Sequence, residues 1–145
     1  MSKQVPITPI YGRGDLVEML DAEYGMVVAN IEDLTEDQFK ARVNPSTHSI
    51  LEVIWHLYFP EGNPPRPANK AEALKGLQSW YELHRAKAGD PEALNESETW
   101  WTGEQMTYRA YLTGFVIRHL AYHLGEIVML RQALGIDKGQ FYHEE

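Results

Sequence analysis

Two histidines spaced four residues apart are the strongest chemical signal in this sequence. His119 and His123 fall on one face of a predicted helix, about 40° apart in direction, so their rings reach the same spot. An imidazole on an apolar helix face is costly unless its ring nitrogens have partners, and a divalent metal ion is a common partner. The spacing predicts a metal site, with an ordinary pair of core histidines as the alternative.

The best candidate for a third ligand is His56, which lies in the middle of a strongly apolar predicted helix. No solvent-facing role is evident for it there. Three imidazoles from two helices would bind one side of a metal ion and leave positions open for water or substrate, as in catalytic sites. This ligand set suits Zn, Ni or Fe and does not select among them.

Glu126 follows His123 by three residues on the same helix face and is the predicted catalytic residue. It could be a fourth ligand, a base for metal-bound water, or the acceptor that orients a histidine. A partly exposed carboxylate at the rim is an equally good interpretation. The segment 119–123 lacks the glutamate of zincin peptidases, and His56 lacks the Glu-x-x-His spacing of di-iron bundles, so both classes are disfavoured.

The other three histidines are predicted not to bind the metal. His48 precedes a helix start near the mouth of the site, His84 lies at the end of an apolar stripe, and His143 belongs to the tail. The adjacent Trp100 and Trp101 are predicted to anchor a loop or to contact a second subunit.

Apolar residues at steps of three and four predict four long helices and no strands. These helices cover residues 16–34, 49–59, 69–87 and 104–134. Tyr122 is predicted to share the core-facing stripe of the last helix with His119, His123 and Glu126. Thr35 with Gln38, and Ser49 with Glu52, have the spacing of capping boxes, and Gly135 is placed for a left-handed cap. Residues 88–103 are predicted to be irregular. The pattern favours an all-α four-helix bundle in a single domain over residues 1–145.

A proline-rich segment separates the second and third helices. Residues 60–67 favour extended polyproline geometry, which covers about 25 Å at 3.1 Å per residue. The preceding helix of eleven residues is only about 17 Å long at 1.5 Å per residue. The segment is therefore long enough to run back along that helix, so the third helix is predicted to lie parallel to the second.

The amino-acid composition excludes several kinds of metal site and binding partner. The 145 residues include six histidines and no cysteine, which excludes disulfides and thiolate metal ligands within the chain. Thirteen basic and 21 acidic residues give a formal charge of −8, which repels a nucleic-acid backbone and an anionic membrane. The first residues do not form a secretory signal, and no apolar run is long enough for a membrane span. We expect a cytoplasmic protein with no nucleic-acid or membrane partner.

Three segments together resemble the DinB-like (DinB/YfiT) family of metalloenzymes. They are Ser49-Ile-Leu-Glu-Val-Ile-Trp-His-Leu57, His119-Leu-Ala-Tyr-His-Leu-Gly-Glu-Ile127 and Leu130-Arg-Gln-Ala-Leu-Gly135. The resemblance covers nearly the whole chain and implies an up-down-down-up bundle with the proline-rich crossover between helices 2 and 3. It also implies a metal triad at His56, His119 and His123, and a homodimer. The family often has Gln where this chain has Glu126.

The resemblance also implies a type of reaction. The family includes thiol S-transferases that use low-molecular-weight thiols such as bacillithiol, a mycothiol-dependent isomerase, and metal-dependent hydrolases. The leading hypothesis is thus a metal-dependent transferase or hydrolase that activates a thiol or water against a small-molecule substrate. A noncatalytic metal- or ligand-binding regulatory bundle is the alternative. A third possibility is a structural dimer in which the histidines are plain core residues.

Overall fold

A computed structural model of the chain describes residues 13–59 and 62–136, and helices dominate this part. The helical elements are α1 (Arg13–Ala29), α2 (Glu36–Lys40), α3 (Ile50–Tyr58), α4 (Lys70–Ala88), a 3₁₀ turn (Ala93–Asn95), α5 (Tyr108–Tyr111), a π-helical segment (Leu112–Ile117) and α6 (Arg118–Ala133). The strands are β1 (Ser97–Thr99) and β2 (Gln105–Thr107). The chain is mostly helical, as predicted. His143, the first residues and part of the proline-rich segment lie outside the described residues.

The long helices enclose one apolar core. α1 packs against α4 and α6, and α3 packs against the same two helices. Leucines and isoleucines from all four helices are fully buried between them: Leu16, Leu20, Ile50, Ile54, Leu57, Leu77, Leu120, Leu124 and Ile127. The apolar spacing of the first predicted helix is therefore confirmed as a core face, whereas Phe59 at the end of the second predicted helix is 39% exposed. None of the helices in the described part of the chain is both long and apolar enough to cross a membrane.

The predicted helix boundaries are confirmed at α2, α3 and the end of the last helix. Thr35 and Ser49 each form a complete capping box with the side chain three residues later. Such caps satisfy backbone N–H groups that have no partner within the helix. Gly135 has a φ of 73° and so adopts the left-handed conformation expected after a helix end. These local signals place the start of α3, the helix that carries His56.

The described part of the proline-rich segment returns along α3. The Trp55 indole Nε1 donates a hydrogen bond to the Pro64 carbonyl oxygen at 3.2 Å. Pro67 is buried, and α4 begins immediately after its cap at Asn69. The crossover is thus held against the helix that it follows.

The prediction of no strands is wrong. β1 and β2 form an antiparallel hairpin in which Ser97 lies opposite Thr107, so residues 88–103 are not simply irregular. The Gln105 amide bridges the side chains of Ser97 and Thr99, and such cross-strand contacts stabilise a short pair. The last helix begins at Tyr108 rather than Glu104, because Thr107 caps it by accepting from the Ala110 backbone N–H.

The face of the last helix also differs from the prediction. Leu120, Leu124 and Ile127 are buried, whereas Tyr122, expected on the core face, is 72% exposed. In the π-helical segment that precedes α6, backbone hydrogen bonds join residues five apart instead of four apart. This change rotates the following turns relative to a continuous α-helix. The stripe of His119, His123 and Glu126 therefore lies at the edge of the core rather than in its centre.

A helical glycine marks the contact between α3 and α4. A Cβ atom added to Gly76 would lie 2.5 Å from Tyr58 Cζ, and Tyr58 is only 5% exposed.

Gly76→Ala should destabilise the protein by about 1–3 kcal/mol through overpacking. Gly25 in α1 has nothing within 4 Å of its added Cβ, so Gly25→Ala should stabilise by about 0.5–1 kcal/mol through helix propensity. Urea unfolding of both variants would measure these changes, and equal effects would contradict the close contact.

Candidate metal centre

Three histidine rings from α3 and α6 converge on one point, as predicted. One nitrogen from each of His56, His119 and His123 lies within 4.8 Å of the other two. His119 Nε2 is 3.1 Å from His56 Nε2 and 2.9 Å from His123 Nε2. The three rings also meet edge to face, with centroids 4.5–4.9 Å apart. The group could therefore hold a metal ion, which the i,i+4 spacing alone could only suggest.

The two distances from His119 Nε2 fit a shared ion. Two nitrogens bound at about 2.1 Å to one ion are separated by about 3.0 Å at a right angle and about 3.4 Å at the tetrahedral angle. The measured distances of 2.9 and 3.1 Å lie near this range. Hydrogen bonds alone satisfy the cluster poorly, since each neutral imidazole has only one N–H. A divalent cation held by His56, His119 and His123 would instead use the lone pairs of their ring nitrogens.

The environment keeps two of these imidazoles neutral. Burial, followed by the charges of His123 and His56, lowers the pKa of His119 to about 4. Burial and the charge of His123 also lower the pKa of His56, against the opposing effect of Glu126. Neutral imidazole is the form that ligates metals. The site therefore favours the ligating form of both side chains at neutral pH.

His56 is more accessible than its sequence neighbourhood suggested. It is exposed, whereas Ile54 and Leu57 of the same helix are fully buried. The prediction that it has no solvent-facing position is wrong, because α3 turns its apolar side inward and leaves His56 at the opening. His123 is buried and His119 is intermediate. The cluster thus runs from the core edge to solvent.

Glu126 orients the most buried ring. His123 Nδ1 lies 2.7 Å from Glu126 Oε2, and because a carboxylate can only accept, Nδ1–H is the donor. This bond directs His123 Nε2, with its lone pair, toward His119 and His56. The other carboxylate oxygen of Glu126 lies 3.9 Å from His48 Nδ1. Glu126 therefore lies beside the triad as an orienting acceptor, and His48 is at the mouth of the site, as expected.

Stacking on Phe115 helps to position the His119 ring. Its ring lies 4.8 Å from that of Phe115 with an interplanar angle of 24°. Its Nδ1 is buried and has no hydrogen-bond partner among residues 13–59 and 62–136. Phe115 belongs to the π-helical segment, and π-bulges occur often at functional sites. Sequence reasoning assigned no role to Phe115 beyond its apolar position.

The triad opens into a cavity suited to a small molecule. This cavity has a volume of about 450 Å³ and is lined by His48, Val53, His56, Tyr122, His123 and Glu126. A smaller apolar groove of about 180 Å³ adjoins His119 and includes Trp100, Phe115 and Tyr122. Ligand sites are usually concave, apolar pockets with a few convergent polar groups. Trp100 therefore lies beside the site, while Trp101 is 80% exposed.

His84 is buried away from the triad in a separate network. Its Nδ1 lies 2.5 Å from the Tyr108 hydroxyl, and its ring packs edge to face on Trp80. It therefore joins α4 to α5, in keeping with the prediction that it is not a ligand. His143 lies outside the described residues.

The cluster Arg42–Glu52–Arg66 adjoins His56 and was missed in the sequence. Glu52 Oε1 accepts from Arg42 Nη2, and from Arg66 Nη2 at 3.1 Å. Burial alone would raise the pKa of Glu52, but the Ser49 backbone bond and the two arginine charges outweigh it and lower that pKa. Arg42 lies 10 positions before Glu52 and Arg66 lies 14 positions after it, so no local sequence pattern predicts these contacts.

Comparison of the chain with protein-family models and with curated proteins gives no match. The chemistry of the site therefore rests on its own geometry.

The depressed pKa of His119 predicts a pH-dependent stability. Between pH 6.5 and about 4, the unfolded chain binds a proton at this position that the folded chain does not. The contribution of His119 is thus fully present above pH 6.5 and is lost as the pH falls toward about 4. Because the ring is partly exposed, we expect a loss of about 1–2 kcal/mol.

Urea unfolding of metal-free protein at about pH 7.5 and about pH 4.5 measures this difference. His119→Gln should reduce the loss seen in the wild type. His48→Gln removes a side chain that is 69% exposed and should leave it unchanged. Equal pH dependence in the wild type and His119→Gln would contradict the assignment.

Proposed function

We propose that His56, His119 and His123 bind a divalent ion, Zn, Ni or Fe, and that the protein is a metal-dependent transferase or hydrolase. The observation that carries the proposal is the convergence of three imidazole nitrogens within 4.8 Å of one another. Two of these residues, His56 and His123, line a cavity of about 450 Å³. Structural metal sites are typically closed by four protein ligands, whereas catalytic sites keep a position open. Three ligands beside an open cavity favour catalysis.

A bound divalent ion would lower the pKa of a coordinated thiol or water and so supply a nucleophile at neutral pH. The protein's own residues provide the rest. Glu126 holds His123 through its Nδ1–H and lies at the cavity wall, where it can accept a proton from the incoming nucleophile. The chain contains no cysteine, so a thiol nucleophile would be a low-molecular-weight cosubstrate.

We also propose that the chain is a DinB-like bundle with helices in up-down-down-up order and that it forms a homodimer. The contacts of α1 and α3 with both α4 and α6 support the first part. The bond from Trp55 to Pro64 supports a crossover that returns along α3. In this proposal Glu126 replaces the glutamine common in the family and adds a carboxylate beside the ligands.

Metal content tests the central proposal. Protein purified without an affinity tag or nickel column should contain about one divalent ion per chain by elemental analysis. Added Zn or Ni at a hundredfold excess over Kd should stabilise the metal-free protein by about 2.7 kcal/mol. His119→Ala and His123→Ala should abolish both effects.

His48→Ala is the matched control, because His48 lines the same cavity but lies outside the triad. Its metal content should equal that of the wild type. Absence of stoichiometric metal together with no thermal shift would refute the proposal. In the presence of Zn, His56→Leu should lose the stability that the bound metal contributes. A variant as stable as the wild type or more stable under these conditions would instead favour ordinary structural histidines.

The role of Glu126 is tested through metal affinity. Glu126→Gln replaces the anionic acceptor with a neutral amide, and we expect the affinity for Zn to fall by about 10–100-fold. Competition with a chromogenic chelator measures this change. Glu82→Gln on the exposed side of α4 removes the same charge away from the site and should have no effect. Unchanged affinity in Glu126→Gln would show that Glu126 does not support the ligands.

A further inference from the structure

A second cavity meets the metal centre at His56 and has a different chemical character. It measures about 440 Å³ and is lined by Arg42, His48, Glu52, Trp55, His56, Phe59 and Arg66. His48 and His56 also line the cavity beside the triad. A molecule in this second cavity would therefore have one end next to the candidate metal position.

The charge of this cavity is opposite to that of the chain. The chain carries a formal charge of −8, yet two guanidinium groups here share the single carboxylate of Glu52. Among the described residues that line this cavity, one positive charge is in excess. Such a local field attracts an anion even though the protein as a whole is acidic.

Both arginines keep N–H donors available for a ligand. Their side chains are 42% and 55% exposed. Within the described part of the chain, Arg66 donates only to Glu52, while Arg42 donates to Glu52 and to the Thr47 carbonyl oxygen. A guanidinium group has five N–H donors in a planar fork that matches a carboxylate or phosphate. Glu52 therefore positions the arginines without occupying all their donors.

Aromatic side chains form the apolar wall of the same cavity. Trp55 and Phe59 pack edge to face with ring centroids 5.1 Å apart, and Phe59 is 39% exposed. Trp55 is held by its bond to Pro64, so this ring is fixed before any ligand binds. The cavity thus combines a cationic end with a rigid apolar side, a pairing that suits an organic anion.

We propose that Arg42 and Arg66 form a subsite for the carboxylate or phosphate group of a small organic ligand that extends along Trp55 to His56. This inference rests on the proposed function, since it names the substrate class of that site. The arginines would bind the anionic end while the reacting atom of the ligand lies beside the triad. Anchoring of this kind contributes to a reaction by fixing orientation.

Binding of simple aromatic anions to the metal-free protein tests the subsite. Phenylacetate and phenyl phosphate carry the two anionic groups, and phenylacetamide is the neutral counterpart. Ligand-observed NMR titration should show that at least one anion binds about tenfold more tightly than phenylacetamide. Arg66→Gln should weaken the binding of that anion by about tenfold, because a charge-assisted hydrogen bond is lost. The anion that binds more tightly shows whether the subsite prefers a carboxylate or a phosphate group.

Arg85→Gln is the matched control, because Arg85 is 51% exposed and also pairs with one carboxylate, that of Asp21. It changes the net charge equally and should leave anion binding unchanged. Arg42→Gln provides a second variant within the subsite, and circular dichroism verifies that each variant is folded. Equal binding of anion and amide, or equal loss in Arg66→Gln and Arg85→Gln, would overturn the proposal.

The same titration with added Zn separates this inference from the metal proposal. Arginine-dependent binding in protein that takes up no Zn would retain the anion subsite and refute the metal centre. Binding that requires Zn, disappears in His119→Ala and persists in Arg66→Gln would mean that the anion coordinates the ion directly. That result would overturn the arginine subsite while supporting the metal centre.

Discussion

The close approach of three imidazole rings is the constraint on which the site depends. With ring nitrogens 2.9 and 3.1 Å apart, a proton on one ring is opposed by its neighbours as well as by burial. The lowered pKa values of His56 and His119 express this cost. The rings stay close only while α3 and α6 remain in contact, since the ligands come from both helices. Packing between α3 and α6 therefore brings the three rings together and favours the neutral forms of His56 and His119.

Contacts at both ends of α6 maintain this arrangement. Arg131, 2% exposed at the far end of α6, donates at 2.6 Å to the Asn30 carbonyl oxygen and at 2.7 Å to Asp33. These bonds tie α6 to the segment after α1. At the other end, the π-helical segment places Phe115 against His119. α6 is therefore fixed on both sides of its histidines, which favours a site whose geometry exists before a ligand binds.

Local patterns in the sequence predicted the helices, several of their caps and the three histidines that converge in the structure. His119 and His123 share a face through simple helical spacing, and Ser49 with Glu52 marks the start of α3. The hairpin and the π-helical segment were missed because short strands and register shifts depend on contacts that periodicity does not record. His56 was correctly placed in the triad, but its exposure depends on how α3 is rotated against its neighbours. Arg42 and Arg66 escaped notice because only the folded chain brings them to Glu52.

Glu52 connects the two halves of the candidate site. Its Oε2 accepts from the Ser49 backbone N–H and so caps α3, while its Oε1 accepts from Arg42 and Arg66. One turn later the same helix presents His56 to the triad. A short helix fixed at its start cannot rotate His56 without also moving the carboxylate that holds the arginines. Arg42 and Arg66 themselves lie in the segments before and after α3, and their bonds to Glu52 connect both segments to this helix. The groups for the anionic end and the reacting end of a ligand would thus be tied to the same helix.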